Sequence, residues 1–233
     1  MLLIILVFRQ TSLLYVMTDR SYRYPEGKII IFAKEPVAGK VKTRLARSIG
    51  EAAALKFHEK MLRHTLEMVC RYKLAVVELH VSGNPDHPLI QSLSREYNIS
   101  VCSQKGDDLG EKMFFALEQS LENSNYSVLI GTDCPVMGVD YLSNALTALL
   151  RGQDVVIGPA EDGGYVLVGT RNIKKDWFHD ISWGSHHVME QSRQKMKTSG
   201  AKLEELQTLW DIDQIEDLRR WERHNDALYI DSQ

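Results

Sequence analysis

Cysteine is scarce in this chain: Cys70, Cys102 and Cys134 are the only three in 233 residues. An odd, sparse set without a CxxC spacing is neither a disulfide framework nor a cysteine-rich zinc site. It reads instead as reduced, packed thiols in a cytoplasmic protein. Aromatics are few, at 8%, and no stretch is compositionally biased, so a disordered tail and a fibrous repeat are both excluded. An excess of positive charge is also missing. Lys plus Arg is 28 against 31 for Asp plus Glu, a net charge of −3, which argues against a nucleic-acid partner because such proteins carry a dominating basic face. The longest apolar run, Met1 to Phe8, falls far short of the ~20 residues a membrane span requires. It lacks the basic start and small-residue cleavage site of a signal peptide. No stable membrane insertion is expected. Residues 1–27 are expected to be an extension outside the fold, with residues 1–16 an upstream addition and Met17 the true start.

What is present is an alternation of strand and helix patterns. Lys28 to Ala33 is a β-branched run of the kind buried on both faces of a sheet. A helix starting between Thr43 and Glu51 carries an apolar stripe of Ala54, Phe57, Met61, Leu62, Thr65, Leu66 and Val69. Strands are expected at 74–81, 99–102 and 127–131. Helices are expected at 88–97, 109–121 and 139–150. The short loop Pro159 to Gly164 between two apolar runs predicts an antiparallel hairpin, since a parallel crossover takes a dozen residues or more. A helix pattern at 185–198, a short strand near 202–206 and a helix near 217–225 complete the reading. The expected architecture is a three-layer α/β/α sandwich with a mixed, mostly parallel sheet, forming one domain over 28–225 with a tail at 226–233.

Ligands of such sheets bind outside the carboxyl ends of the strands, and four segments there carry chemistry. Residues 32–46, FAKEPVAGKVKTRLA, supply Lys34, Lys40, Lys42 and Arg44 in a loop between strand and helix, a natural anion cradle. The loop is not a Walker A motif, because Glu35 stands where its first glycine would be and no Ser or Thr follows Lys40. A G-x-G-x-x-G fingerprint is absent. In VLIGTDCP, Asp133 follows a hydrophobic strand, placed to hold Mg²⁺ or Mn²⁺ against a diphosphate; a helix cap is the plainer use of such an Asp. In GPAEDGGYVLVG, Gly163 and Gly164 permit a tight turn beside Glu161 and Asp162. In WDIDQIEDL, Asp211 and Asp213 flank Ile212 and project to one side of an extended segment, where a cation would relieve their repulsion. A capping box with Glu216 accounts for Asp213 equally well. Trp183 is a candidate lining for an acceptor pocket, although tryptophan is more often core. His58 and His64 read as surface or partly buried.

The ordered set FAKEPVAGKVKTRLA, DLGEKM, GTDCP, EDGGYVLVG, ISW and DIDQIEDL resembles the glycosyltransferase-A-type, nucleotide-diphospho-sugar transferase family of arsenosugar-biosynthesis or radical-SAM/selenodomain-associated transferases, over about residues 28–221. It is more distantly similar to phospholactate and molybdenum-cofactor guanylyltransferases. The resemblance implies that Lys34, Lys40, Lys42 and Arg44 bind nucleotide phosphates, and that Asp133, Asp211 and Asp213 hold Mg²⁺ or Mn²⁺. It implies that Asp162, Gly163 and Gly164 face donor or acceptor. Asp133 and Asp162 are the candidate catalytic residues, with Asp162 as base. The lysine-rich loop departs from the Gly/Ser-rich loop of the molybdenum-cofactor enzymes, so base specificity does not carry over. The implied activity is a metal-dependent glycosyltransferase moving sugar from a nucleotide-sugar to a small-molecule acceptor. The alternatives are a nucleotidyltransferase releasing pyrophosphate from an NTP, and a non-catalytic nucleotide-binding module.

Overall fold

A computed structural model describes residues 21–230, with side chains described to residue 224. The expected upstream addition and the start at Met17 lie outside the described residues. The first strand, β1 (Gly27–Lys34), has Ile29, Ile30 and Ile31 fully buried, each worth about 1.5–3 kcal/mol of hydrophobic burial. The chain then forms α1 (Thr43–Ile49), α2 (Glu51–Arg71), β2 (Val76–Ser82), α3 (Pro88–Tyr97), β3 (Ser100–Ser103) and α4 (Leu109–Leu121). It continues through β4 (Tyr126–Ile130), α5 (Val139–Leu150), β5 (Val155–Pro159), β6 (Tyr165–Thr170), α6 (Val188–Thr198), β7 (Leu203–Glu205) and α7 (Ile215–Ile230).

The seven strands form one sheet in the order β3-β2-β1-β4-β6-β5-β7. Neighbours are parallel except β6, which is antiparallel to both β4 and β5. The hairpin expectation therefore holds. Strand alternation divides the core between the two faces. Ile29, Ile31, Val128 and Ile130 pack with α2, α3 and α5 residues on one side. Ile30, Leu129, Ile157 and Val168 pack with Met113, Leu117, Met189 and Met196 of α4 and α6 on the other. This is the three-layer α/β/α sandwich.

Both limits of the domain differ from expectation. The fold begins before Lys28: Tyr24 is buried, its backbone N–H donates to the Leu74 carbonyl at 2.7 Å, and its hydroxyl donates to the Ser143 carbonyl. At the other end α7 runs through Ile230, past the expected limit at 225. The helix expected to start between Thr43 and Glu51 starts at Glu51, and the short α1 precedes it, the two separated at Gly50, whose φ of +84° only glycine adopts without strain. The expected stripe of α2 is buried throughout, together with His58.

Candidate functional site

A cleft of about 610 Å³ opens at the carboxyl ends of β1, β2 and β4. Lys34, Lys42, Asp133, Asp162, Gly164, Asp211 and Asp213 all line it. Residues from four separate segments, up to 179 positions apart in sequence, thus meet in one place. Lys40, Arg44 and Gly163 do not line it.

Lys42 is the centre of the basic loop. It is the buried cation of the group, while Lys34, Lys40 and Arg44 are exposed. Its backbone is left-handed, with φ of 47° and ψ of 42°, a conformation costing an L-residue roughly 1 kcal/mol. The side chain compensates for this. Its ammonium donates to the Ile212 carbonyl and forms an ion pair with Asp133 Oδ1 at 2.9 Å. One side chain therefore ties the loop after β1 both to the end of β4 and to the segment before α7. The α1 helix that follows is only seven residues long.

Asp133 follows β4 with its carboxylate half exposed to the cleft. Its backbone carbonyl accepts the Ile212 N–H at 2.8 Å, which positions the acidic segment beside it. Ile212 itself is fully buried with Leu45, Met61 and Trp221, and its two acidic neighbours, both half-buried, line the cleft on either side. Their environments differ. Asp211 is pushed up to about 6, chiefly by burial and next by the negative charges of Asp162 and Asp133. Asp213 instead pairs with Arg44 at 2.6 Å. The capping box expected between Asp213 and Glu216 does not form: Arg44 takes the Asp213 carboxylate, and Asp217 rather than Glu216 accepts the N–H groups of Asp213 and Gln214, at 3.1 and 2.8 Å.

In the hairpin after β5, Asp162 Oδ1 accepts the Gly164 N–H at 2.8 Å, which fixes its position and leaves Oδ2 available. Glu161 does not join the acids. It is held by Arg220 through two bonds of 2.6 and 3.0 Å, and the Arg220 guanidinium lies 4.3 Å from the Trp210 ring centroid. Gly163 has a packing role: its φ is +88°, and a Cβ there would lie 2.3 Å from the His186 carbonyl oxygen. Gly163→Ala is expected to cost at least about 2 kcal/mol, lowering the melting temperature by roughly 4–8 °C. Thermal unfolding followed by circular dichroism checks this; an unchanged transition would show that the hairpin relaxes freely.

Several cleft residues were not read as site residues from sequence. His58, expected at the surface or partly buried, is instead buried in α2 next to Phe57; its Nε2 lies 3.0 Å from the Lys34 carbonyl, and burial lowers its pKa. Its place beside the apolar stripe was the available signal. Gln104, Asp107, Asp108 and Lys112 also line the cleft. They occupy the loop after β3 and the start of α4, where Asp108 caps the helix by accepting the Glu111 N–H at 2.8 Å. Trp183 lines the cleft as anticipated, its ring edge-on to Tyr165. Cys134 is buried, which pushes its thiol up to about 12 and leaves it a packing residue.

No curated protein sequence matches the chain. Among solved structures, one from Desulfovibrio desulfuricans G20, named only as a candidate nucleotide-diphospho-sugar transferase, is similar with 30% identity and a TM-score of 0.79, covering 86% of this chain and 87% of that one. A CMP:2-keto-3-deoxy-manno-octonic acid synthetase complexed with CTP shares the fold at 9% identity and a TM-score of 0.56, covering 89% and 100%. So does the 4-diphosphocytidyl-2C-methyl-D-erythritol synthase of Anaerococcus prevotii DSM 20548, at 13% identity and a TM-score of 0.55, covering 82% and 94%. The fold is that of the nucleotide-diphospho-sugar transferases, and these structural neighbours are a transferase, a synthetase and a synthase by name. No helix among the described residues is long and apolar enough to cross a membrane. Residues 65–185 match the family model described as "Uncharacterized protein conserved in bacteria (DUF2064)", and on that match the chain belongs to the DUF2064 family.

Proposed function

We propose that this protein is a metal-dependent transferase that binds a nucleotide-diphosphate donor and moves its sugar to a small-molecule acceptor. The observation that carries this reading is the meeting of Asp133, Asp162 and Asp211 with Lys42 in one cleft of about 610 Å³. The charge pattern fits a divalent cation. The mutual repulsion that helps raise Asp211 is what bound Mg²⁺ or Mn²⁺ would relieve. Asp133 and Asp211 would hold the ion, with Asp213 on the rim, already engaged by Arg44. When bound, the ion supplies charge neutralisation for a leaving diphosphate.

The chain's own groups do the rest. Lys42, fixed by two contacts, presents a preorganised positive charge, and exposed Lys34 adds a second. Asp162, anchored through one oxygen to the Gly164 N–H, keeps its other oxygen for an acceptor hydroxyl proton. Trp183 and Tyr165 supply an apolar wall for the acceptor. The motif resemblance points to the arsenosugar-biosynthesis or radical-SAM/selenodomain-associated branch as the source of that acceptor.

A second reading, nucleotidyl transfer from an NTP, is favoured by the two cleft lysines, Lys34 and Lys42, which suit a triphosphate as well as a diphosphate. Incubation with Mg²⁺ or Mn²⁺ and panels of nucleotide-sugars and NTPs separates the two. Nucleoside-diphosphate release is the expected result; pyrophosphate release would replace sugar transfer with nucleotidyl transfer. If no product forms while a nucleotide still raises the melting temperature, the non-catalytic nucleotide-binding module takes their place.

A further inference from the structure

The thiol spacing along the sequence excludes a cysteine-rich zinc motif, yet the sheet builds a mixed ligand set around one of these cysteines. Glu78 and His80 are two apart on β2 and therefore share a face. Cys102 on β3 is the register partner of His80. This face is opposite the one on which Val77, Leu79 and Val81 pack into the core. Ligand atoms of the three residues all lie within 4.8 Å of one another. None of the three lines the large cleft.

We infer that Glu78, His80 and Cys102 form a second metal site, distinct from the cleft, that takes zinc with water or an added ligand in the fourth position. A thiolate, an imidazole and a carboxylate are the ligand types zinc accepts, and three protein ligands leave the fourth corner of the tetrahedron open. The geometry is close to what zinc needs. His80 Nε2 and Glu78 Oε2 lie 3.3 Å apart, matching the roughly 3.3 Å edge of a tetrahedron built with zinc–nitrogen and zinc–oxygen bonds near 2.0–2.1 Å. Closing the other two edges takes side-chain adjustment on the order of 1 Å, given edges of roughly 3.5 Å to sulfur.

The surroundings are those of a supported site. Lys28 Nζ holds the other carboxylate oxygen, Glu78 Oε1, at 2.8 Å, which fixes the carboxylate and leaves Oε2 facing His80. The hydrogen bond from His80, with the Lys28 contact, lowers the Glu78 carboxyl to about 2, so it is an anion at ordinary pH. The His80 ring is buried and stacks on Phe32, with centroids 6.0 Å apart and planes at 25°. Gln104 donates to the His80 carbonyl at 3.0 Å and to the Ala33 carbonyl, locking the backbone behind the ring. Cys102 is partly exposed on the edge strand, which gives an ion a way in. Binding exchanges the Cys102 S–H bond for a sulfur–zinc bond and releases that proton to solvent; the His80 Nε2 proton that bonds Glu78 is given up to solvent as Nδ1 takes one up, so the imidazole binds neutral through Nε2. Lys28 opposes the added charge, so the site is expected to be weaker than one with three unencumbered ligands.

Titration of the full-length protein with Co²⁺, a spectroscopic substitute for zinc, tests the assignment. The expected result is a thiolate-to-cobalt charge-transfer band in the near ultraviolet that zinc abolishes. Asp133→Asn should retain the band and Cys102→Ser should lose it. Because His80 is buried and its variants are at risk of misfolding, a second measurement uses the wild-type chain. Zn²⁺ should slow alkylation of Cys102 at least tenfold, read by peptide mass spectrometry, while leaving Cys70 unaffected. Absence of the thiolate band, its loss in Asp133→Asn, or an unchanged Cys102 alkylation rate would each overturn the site.

Discussion

Asp133→Asn is expected to reduce metal-dependent turnover of the nucleotide donor by roughly a hundredfold or more, the scale seen when one preorganised group facing developing charge is removed. The substitution keeps the shape and discards the charge. The fold should tolerate it, because the contact that knits Asp133 to the acidic segment is made by its backbone carbonyl, which accepts the Ile212 N–H at 2.8 Å. Its carboxylate is half exposed, so no buried acceptor is orphaned there. The exposed side of the balance is Lys42, whose buried ammonium loses its counter-charge and keeps the Ile212 carbonyl. That costs about 1–2 kcal/mol and should appear as a small fall in melting temperature. The informative measurement is donor binding with and without Mn²⁺. Wild type should show metal-dependent tightening and the variant should not. Unchanged metal-dependent binding in the variant would remove Asp133 from the metal site.

The placement of Asp133 was legible from sequence for a physical reason. An Asp just past an unbroken apolar strand, in a chain alternating strand and helix, has nowhere to go except the carboxyl edge of a parallel sheet. The helices at 88–97, 109–121 and 139–150 were legible to the residue, because Pro88, Asp108 and the apolar periodicities mark their limits locally. What sequence did not show is made by contacts far apart in the chain. Lys42 looks like its basic neighbours until a left-handed backbone turns it inward to a carbonyl 170 positions away. Arg44 reads as a phosphate ligand until Asp213, 169 positions on, engages it. Glu161 reads as a cleft acid until Arg220 takes both its oxygens. In each case the residue type was right for the region, and its partner was set by packing that no local pattern encodes. The sheet order has the same character. That β6 rather than β5 sits against β4 follows from where the hairpin docks.

Asp211→Asn is expected to make the metal-free protein more stable at pH 7.5 while abolishing its response to metal. Asp211 has a folded pKa of about 6 against an ordinary value of 3.8. Burial and the neighbouring charges of Asp162 and Asp133 favour its protonated form, with Lys42 opposing. The folded state thus binds the proton more tightly than the unfolded chain. The stability this confers is fully present below pH 3.8 and is lost as pH rises through 6, so the ionised carboxylate burdens the fold above that point. A shift of this size corresponds to about 2–3 kcal/mol. Asn mimics the neutral form at every pH. Its advantage should therefore be largest above pH 7, worth a melting-temperature gain of roughly 4–8 °C, and should shrink between pH 6 and 4. Millimolar Mn²⁺ should reverse the ranking, because wild type gains stability from a bound ion and the variant cannot. Melting curves of both proteins across pH, with and without Mn²⁺, read all three effects. If the variant melts no higher than wild type at pH 7.5 without metal, the acids do not repel one another as placed. If both proteins respond equally to Mn²⁺, Asp211 is not a ligand. The joint outcome would tie stability to use: the clustered carboxylates that weaken the metal-free fold would be the groups that bind the cation.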